Sequence, residues 1–321
     1  MDIFLITFQA VATLLGIGIL GFWIIGQHRA SGDTLGFLSA LSIDVAVPCL
    51  VLASLIIDFS SRTNPDWWHM PLWWLAFLVI SLALALLCSL AARRDFRGEF
   101  AMGLFFQNGL FFPLIIITGL FGTENPYFVP LFLLIFLHPT LMFSTYPLFF
   151  PGKQASRVFS MARVFNPVLV STIVGMAIAL IGFQSYVPQF VKTILIMVGA
   201  MASPLFMLIL GGSLYHDLMM ERGGKRNIYW GEVVKFCLAK NFVFPLAMLG
   251  ILILVKPSFP VALILMLEAA VPPVTAIPIF AERSGANRNL AGQFIVGSFL
   301  ASLFSIPMAL YFFNIFFPFP P

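Results

Sequence analysis

The sequence is poor in charged residues and in cysteine. Only 9% of its 321 residues are Asp, Glu, Lys or Arg, whereas soluble domains carry roughly 25%. A water-soluble fold of this length could not cover its surface with so few polar groups. The three cysteines, Cys49, Cys88 and Cys237, are scattered in apolar stretches. This excludes a disulfide framework and a zinc site, and it favours packing roles.

The motifs of catalysis and of nucleotide binding are also absent. No Gly-x-Ser-x-Gly, His-Glu-x-x-His, Walker or dinucleotide motif occurs. Neither an enzyme nor an ATP-driven pump is therefore indicated, and no cofactor or metal is expected. The basic residues flank apolar runs, which is typical of membrane orientation rather than of nucleic-acid binding. No linker is long enough for a soluble domain, so residues 1–321 are predicted to form one membrane domain.

Long apolar runs dominate the chain instead. Hydrophobic residues make up 60% of it, and the mean hydropathy is +1.02. A run of about 20 residues spans the hydrocarbon core of about 30 Å. The predicted fold class is an all-α polytopic membrane protein with ten transmembrane helices. The ten runs are residues 3–26, 34–57, 72–91, 100–121, 127–150, 165–183, 189–215, 231–255, 259–282 and 289–317.

The basic residues are divided unevenly between the loops. Twelve Lys and Arg residues lie in the loops after odd-numbered spans, and three lie in the loops after even-numbered spans. Cytoplasmic loops are enriched in Lys and Arg. The odd-numbered loops are therefore predicted to be cytoplasmic and both termini to lie outside, in a bacterial inner membrane.

Prolines recur at corresponding places in the two halves. Pro113 in span 4 and Pro273 in span 9 are separated by about half the chain. With five spans in each half, the second half enters the membrane in the opposite orientation, which is an inverted repeat of the kind found in secondary transporters. The predicted repeats are residues 1–150 and residues 164–321.

Spans 4 and 9 are predicted to be interrupted near their middles, because each combines small or polar residues with proline. A proline removes one helical hydrogen bond, and freed backbone groups are tolerated in hydrocarbon where they line a cavity. A single proline often only kinks a packed helix, so the symmetric set carries the argument. Thr275 is the expected counterpart of Asn108. The candidates for substrate binding are Asn108, Gly109, Pro113, Pro273, Thr275 and Pro278.

Three ionisable side chains are predicted at mid-membrane depth. Asp44, Lys240 and Glu268 each fall roughly 12–16 Å from the nearer end of their span, at about 1.5 Å per residue. Insertion of such groups costs at least roughly 2.5–3.5 kcal/mol, so they face a cavity or a partner. Asp44 and Glu268 are candidates for proton coupling, and structural, ion-paired acids are the alternative. Lys240 is predicted to pair with Glu268 or to bind an anionic substrate.

Two more polar residues are weaker candidates for the binding site. Asn241 is adjacent to Lys240, and His138 precedes Pro139 in span 5. His138 is a candidate for substrate contact or for a proton relay. A lone histidine in an apolar span more often has a structural role.

Motifs in spans 4 and 9 resemble those of the auxin efflux carrier family. Residues 267–273, which read Leu-Glu-Ala-Ala-Val-Pro-Pro, are similar to the family's span-9 signature, as are residues 279–283 and the Gly-Ala-Asn at 285–287. The Asn-Gly pair before Pro113 is similar to the family's other broken helix. The resemblance covers essentially the whole chain in span number, orientation and repeat.

The resemblance implies a 5+5 inverted repeat in which spans 4 and 9 cross at their prolines, as in bile-acid and sodium–proton transporters. It implies that a transport domain of spans 3–5 and 8–10 moves like an elevator against a scaffold of spans 1, 2, 6 and 7. The implied substrates are small organic anions, such as auxin or dicarboxylates, and the implied assembly is a homodimer. Only residues 151–163 join the halves, and this departs from the long cytoplasmic loop of the plant exporters.

The expected function is therefore secondary transport of a small organic anion across the lipid bilayer, with Asp44 and Glu268 as the candidates for proton coupling. A sodium-coupled symporter of the bile-acid type is the nearest alternative, but Glu268 is the only acid close to the crossing in sequence. A non-transporting membrane receptor is an alternative of another class, which the absence of an appended signalling domain disfavours. A membrane enzyme that uses the intramembrane acids is a third.

Overall fold

The structure is a computed structural model whose described residues are mostly helical and form no strand, as predicted. It describes residues 3–28, 32–60, 67–122, 125–135, 137–150, 167–220 and 228–320. The connection predicted at residues 151–163 and most of the basic loop after span 7, residues 221–227, lie outside the described residues.

Among the described residues, eight α-helices belong to the first half of the chain and eight to the second. Those of the first half are α1 (Ile3–His28), α2 (Gly32–Ala40), α3 (Val47–Asp58), α4 (Met70–Ser89), α5 (Arg97–Phe105), α6 (Phe111–Phe121), α7 (Phe128–Ile135) and α8 (His138–Thr145). Those of the second half are α9 (Pro167–Leu180), α10 (Gln189–Gly199), α11 (Ala202–Met220), α12 (Trp230–Leu238), α13 (Phe244–Val255), α14 (Phe259–Ala270), α15 (Ile277–Arg283) and α16 (Arg288–Phe316).

Six helical stretches of the described residues are long and apolar enough to cross a membrane. They coincide with predicted spans 1, 2, 3, 7, 8 and 10, so the chain is a multi-pass membrane protein. Predicted spans 4, 5, 6 and 9 contain shorter helices, since three of these spans are interrupted and α9 has only 14 residues. The count of ten spans and the 5+5 arrangement stay predictions.

Spans 4 and 9 are broken where the sequence predicted. The chain leaves helical geometry between α5 and α6, at residues 106–110, and again between α14 and α15, at residues 271–276. We call these two segments together the crossover. Span 5 is also divided, because α7 ends at Ile135 and α8 begins at His138.

Two further spans contain a π-helical turn. Leu41–Ala46 joins α2 to α3, and Ala239–Val243 joins α12 to α13. A proline follows each turn within two residues, namely Pro48 and Pro245. Because proline has no N–H, the carbonyl four residues earlier loses its helical partner, and a wider turn accommodates the defect. The extra residue in the turn changes which side chains face the interior of the bundle.

The helices of predicted spans 1, 2, 6 and 7 pack against one another. α1 runs along α11, and α3 packs against α9 and α10. At the α1–α11 crossing, a Cβ atom on Gly211 would overlap the backbone carbonyl of Gly18. Glycine is therefore required there for the two backbones to approach closely, which is common in membrane helix packing. α16 packs against α12 and α15 and also along α1.

Candidate functional site

The two segments of the crossover run antiparallel and are hydrogen-bonded to each other. The amide of Asn108 donates to the carbonyl of Pro272 at 2.9 Å. The amide of Val274 donates to the carbonyl of Phe106, also at 2.9 Å. These bonds satisfy backbone groups that the helix breaks leave without partners. The pairing sets Asn108 opposite Pro272, so Thr275 is not its partner across the crossover.

The predicted prolines shape this region without lining its cavity. Pro113 and Pro278 are buried in the first turns of α6 and α15, where a missing N–H costs no helical hydrogen bond. Pro273 lies in the crossover opposite Gln107. None of the three is among the residues that line the cavity described next. The three prolines instead help to end the helix before each break and to start the helix after it.

A cavity of about 500 Å³ lies against the crossover. This volume falls within the range of about 300–1,000 Å³ that is usual for small-molecule sites. The lining extends from the crossover to Leu35, near the start of α2, and to Arg288, the first residue of α16. Both residues adjoin loops that the charge distribution predicts to be cytoplasmic. The cavity is therefore directed toward the predicted cytoplasmic side.

Two helix N-termini meet at the cavity. α6 and α15 both begin at the crossover, and the residues just before them line the cavity: Asn108, Gly109, Leu110, Val274, Thr275 and Ala276. The first amides of a helix have no helical acceptor, and the helix dipole places partial positive charge at this end. Such termini attract anions, so this arrangement provides positive potential without a lysine or arginine in the crossover.

Unpartnered polar atoms surround the same cavity. Gln107 and Asn108 are only 1% and 3% exposed. Nε2 and Oε1 of Gln107, Nδ2 of Asn108 and Nε2 of His138 are buried without a hydrogen-bond partner, and all three residues line the cavity. Because buried polar atoms in proteins are nearly always hydrogen-bonded, these donors and acceptors are suited to a polar ligand.

The remaining wall of the cavity is mostly apolar, although Ser39, Thr172 and Ser213 also line it. Its helix-borne side chains come from α3, α7, α8, α9 and α11 and include Val47, Val51, Phe132, Met142, Val168 and Phe206. The ring of Phe206 stacks on that of Phe111, with centroids 3.4 Å apart and an interplanar angle of 11°. A ligand in this cavity meets polar groups at the crossover and hydrocarbon on the other side.

Glu268 lies directly behind the crossover. Its side chain is 2% exposed, and Oε1 has no hydrogen-bond partner. A Cβ atom on Gly109 would overlap its carboxylate oxygens, so the carboxylate touches the backbone of the crossover. The acid occupies the last turn of α14, where the helix dipole disfavours negative charge. A change in the charge or position of this carboxylate therefore acts directly on a segment that lines the cavity.

Lys240 stabilises this region but does not contact the cavity, contrary to its prediction as a substrate-binding residue. It is fully buried in the π turn, and its Nζ donates to the carbonyl of Ala269 at 3.3 Å. The ammonium group also lies 4.8 Å from the ring centroid of Phe244. It interacts electrostatically with Glu268, as the sequence suggested. Lys240 thus places positive charge at the C-terminal end of α14.

Asn241 is likewise directed away from the cavity. Its Nδ2 donates to the carbonyl of Ser298 at 3.1 Å and to Oγ of Ser305 at 3.0 Å. The hydroxyl of Ser298 in turn donates to Oδ1 of Asn241 at 2.9 Å. The residue joins the π turn to α16 and is not among the described residues that line the cavity.

Asp44 is not brought to the crossover. Its side chain is exposed on the π turn that precedes Pro48, and it is not part of the cavity wall within the described chain. Its neighbours Ile43 and Val45 are each 43% exposed. The position of a residue along its span does not determine which way its side chain points.

Sequence reasoning missed five polar residues of the cavity, namely Ser39, Gln107, Thr172, Ser213 and Arg288. Gln107 lies in the same helix break as Asn108, and that adjacency was the available signal. Arg288 was treated only as a loop charge, yet it borders the cavity and pairs with Glu282 at 2.6 Å. Its position could not be inferred without knowing how α16 packs.

The sequence matches a known protein family. The sequence profile of the family described as Membrane transport protein matches residues 6–310. The matched region includes both segments of the crossover and the whole lining of the cavity. No curated protein matches the chain.

Proposed function

Because the chain belongs to the membrane transport protein family, we propose that it is a secondary carrier of small organic anions that bind at the crossover. The observation that carries this proposal is the convergence of two helix N-termini and four unpartnered buried polar atoms on one cavity of about 500 Å³. Membrane carriers commonly bind anionic substrates where half-helices end near the middle of the bilayer.

The polar side of the cavity fits a carboxylate. First-turn amides of α6 and α15 and the Nδ2 group of Asn108 are donors, and the hydroxyl of Thr275 adds another. Gln107 and His138 each present atoms without partners. A carboxylate placed among these groups accepts hydrogen bonds that are stronger than those between neutral groups. It is also favoured by the positive ends of both helix dipoles.

The apolar side of the cavity favours a substrate with one charged end. Phe111, Phe206, Phe132 and Val47 offer no partner for a second carboxylate, and Arg288, at the far end of the cavity, is paired with Glu282. Burying an unpaired charge against such a wall is costly, whereas an aromatic or aliphatic body gains from burial there. We therefore propose a monocarboxylate with an apolar body, of the arylacetate type, in preference to a dicarboxylate.

The transport cycle that we propose is an elevator movement of the crossover between the two sides of a bacterial inner membrane. Spans 1, 2, 6 and 7 would form the stationary scaffold, and homodimers would be the working assembly. The packing of α1 against α11, and of α3 against α9 and α10, supports the scaffold grouping, and α1 is also the helix that contacts α6 and α16 of the proposed moving part. The extension of the cavity toward Leu35 and Arg288 supports an inward-facing state for the conformation described here.

We assign proton coupling to Glu268 alone. Its carboxylate is buried, its Oε1 is unpartnered, and it contacts the backbone at Gly109. Adding or removing a proton there alters the charge directly behind the binding segment. Asp44 has none of these contacts.

Transport into proteoliposomes tests the binding site. The purified chain is expected to take up labelled indole-3-acetate and to prefer it over malonate. Asn108→Ala and Gln107→Ala should each raise KM about tenfold, since each loses a buried polar partner of the ligand. Asn314→Ala, at the far end of α16, is the matched control and should transport normally. Uptake that is equal in Asn108→Ala and wild type would place the site elsewhere.

A Glu268→Gln variant tests the coupling. Glutamine keeps the shape of the side chain but cannot exchange a proton, so uptake should no longer respond to an imposed pH gradient. Asp44→Asn is the control and should retain the response. A gradient-driven uptake that persists in Glu268→Gln would refute the assignment.

Sodium-coupled symport is the second candidate within transport. The ammonium of Lys240 already places positive charge beside Glu268, which disfavours another cation at the same carboxylate. Replacing sodium with choline in the uptake assay distinguishes the two, because a sodium symporter would then stop. A non-transporting receptor would bind the carboxylate in the same cavity but give no uptake at all.

A further inference from the structure

A second cavity, of about 850 Å³, lies on the periphery of the helix bundle and shares no lining residue with the first. It is bounded by α4, by the start of α5 and by the segment that follows α8. We call it the α4 groove. One of its ends is the loop at residues 93–97, which follows span 3 and is predicted to be cytoplasmic.

The floor of the α4 groove includes an apolar stripe along one helix. Leu75, Val79, Leu82 and Leu86 recur at spacings of four, three and four residues, so they lie on one face of α4. They are 51%, 70%, 39% and 51% exposed. At about 1.5 Å per residue the stripe is roughly 16 Å long. It therefore runs along the hydrocarbon region from the interior toward the membrane surface.

Two arginines stand at the interfacial end of the stripe. Arg94 and Arg97 both line the groove. Nη2 of Arg97 lies 3.4 Å from the carbonyl of Leu90, and its Nε is buried without a hydrogen-bond partner. A buried guanidinium nitrogen without an acceptor is costly, so this end of the groove has an unfilled place for an anionic oxygen.

The two acidic residues of the groove, Glu99 and Asp95, do not provide an acceptor for Arg97. Oε1 of Glu99 accepts the amide of Asn287 at 2.7 Å, which ties this carboxylate to the start of α16. Asp95 is exposed at the rim. Neither acid forms an ion pair with Arg97 among the described residues.

We propose that the α4 groove binds a membrane phospholipid, with an acyl chain along the stripe and the phosphodiester on Arg97 and Arg94. Guanidinium groups bind phosphate oxygens through charge-assisted and often bidentate hydrogen bonds. Basic pockets between membrane helices on the cytoplasmic side are suited to phospholipid headgroups. The apolar part of the groove is open to the hydrocarbon of the membrane, and the two arginines lie at its headgroup end. These two parts match the acyl chain and the phosphodiester of a phospholipid.

The lipid stabilises the carrier by holding α4 against α5. α4 contacts α5 and α7, and α5 leads directly into the crossover. A lipid seated in the groove contacts both helices and therefore restrains the first half of the crossover.

Native mass spectrometry and thermal unfolding of the full chain in detergent test the proposal. Dioleoyl phosphatidylglycerol should bind as one retained molecule and raise the unfolding midpoint. Arg97→Gln and Arg94→Gln should each weaken binding at least about tenfold. Leu86→Trp, which fills the groove and keeps both arginines, should also abolish retention. Arg93→Gln is the matched control, because Arg93 stacks on Phe96 at 5.4 Å and does not line the groove.

Three results would overturn the proposal. Dioleoylglycerol, which has no phosphate, and inorganic phosphate, which has no acyl chain, should each give no stabilisation. Equal stabilisation by either refutes a phospholipid site. An equal loss in Arg93→Gln shows only a general effect of surface charge. Unchanged retention in Leu86→Trp shows that no acyl chain occupies the groove. If Arg97→Gln does not fold, Arg94→Gln and Leu86→Trp decide the outcome.

Discussion

A methyl group added at Gly109 tests most directly whether the crossover packs against the carboxylate of Glu268. In Gly109→Ala the new Cβ would lie 2.6 Å from Oε1 and 2.7 Å from Cδ of Glu268. Contacts this short do not occur, so either the carboxylate or the crossover must move. Both are buried, and overpacking in such places costs about 1–3 kcal/mol. We expect a lower unfolding midpoint in detergent and reduced uptake in proteoliposomes.

A double-mutant cycle attributes the loss to this one contact. Glu268→Ala removes the colliding carboxylate, so adding Gly109→Ala in that background should be nearly neutral. The coupling energy should then reach at least about 1 kcal/mol. Gly250→Ala in α13 is the control, because a Cβ there meets nothing within 4 Å. That substitution should be neutral or stabilising by up to about 1 kcal/mol. A Gly109→Ala protein as stable as wild type, or an additive cycle, would show that the carboxylate does not abut the crossover.

Two further predictions concern side chains that hold α16 in place. Asn241→Ala leaves the buried hydroxyls of Ser298 and Ser305 without their amide partner, and it should cost about 1–3 kcal/mol in thermal unfolding while substrate KM is unchanged. A raised KM without loss of stability would return Asn241 to the binding site. Asn287→Ala removes the side-chain acceptor of the Leu290 amide, at 3.0 Å, and should cost about 1 kcal/mol. Faster hydrogen exchange in the first turn of α16 would report it, and unchanged exchange would contradict it.

The breaks in spans 4 and 9 were predictable because their causes are local. Proline and glycine interrupt a helix wherever they occur in it, and the Asn108-Gly109 pair marks the first break to within a residue. Asn108, Gly109 and Thr275 accordingly line the cavity as expected. His138 does as well, although its solitary position gave only weak support.

The direction in which a polar side chain points could not be predicted, in an unbroken span, from the position of its residue along the span. Lys240 and Asn241 lie at mid-span, but they belong to a π turn that directs them toward α14 and α16. Pro245 was the residue that could have indicated this π turn, and Pro48 could have indicated the π turn that contains Asp44. The apolar wall and Arg288 depend on how distant helices pack, and no local pattern in a uniformly hydrophobic sequence encodes that.

The hydrogen bonds across the crossover bear on how much of the gene is needed to build the site. The amide of Asn108 finds its acceptor 164 residues away, at Pro272, and the amide of Val274 finds its own at Phe106. Hydrocarbon offers neither segment a substitute. A truncated gene that encodes only residues 1–150 would therefore yield a polypeptide whose broken helix has no complement. Co-expression of residues 164–321 from a second gene would be the least that restores it.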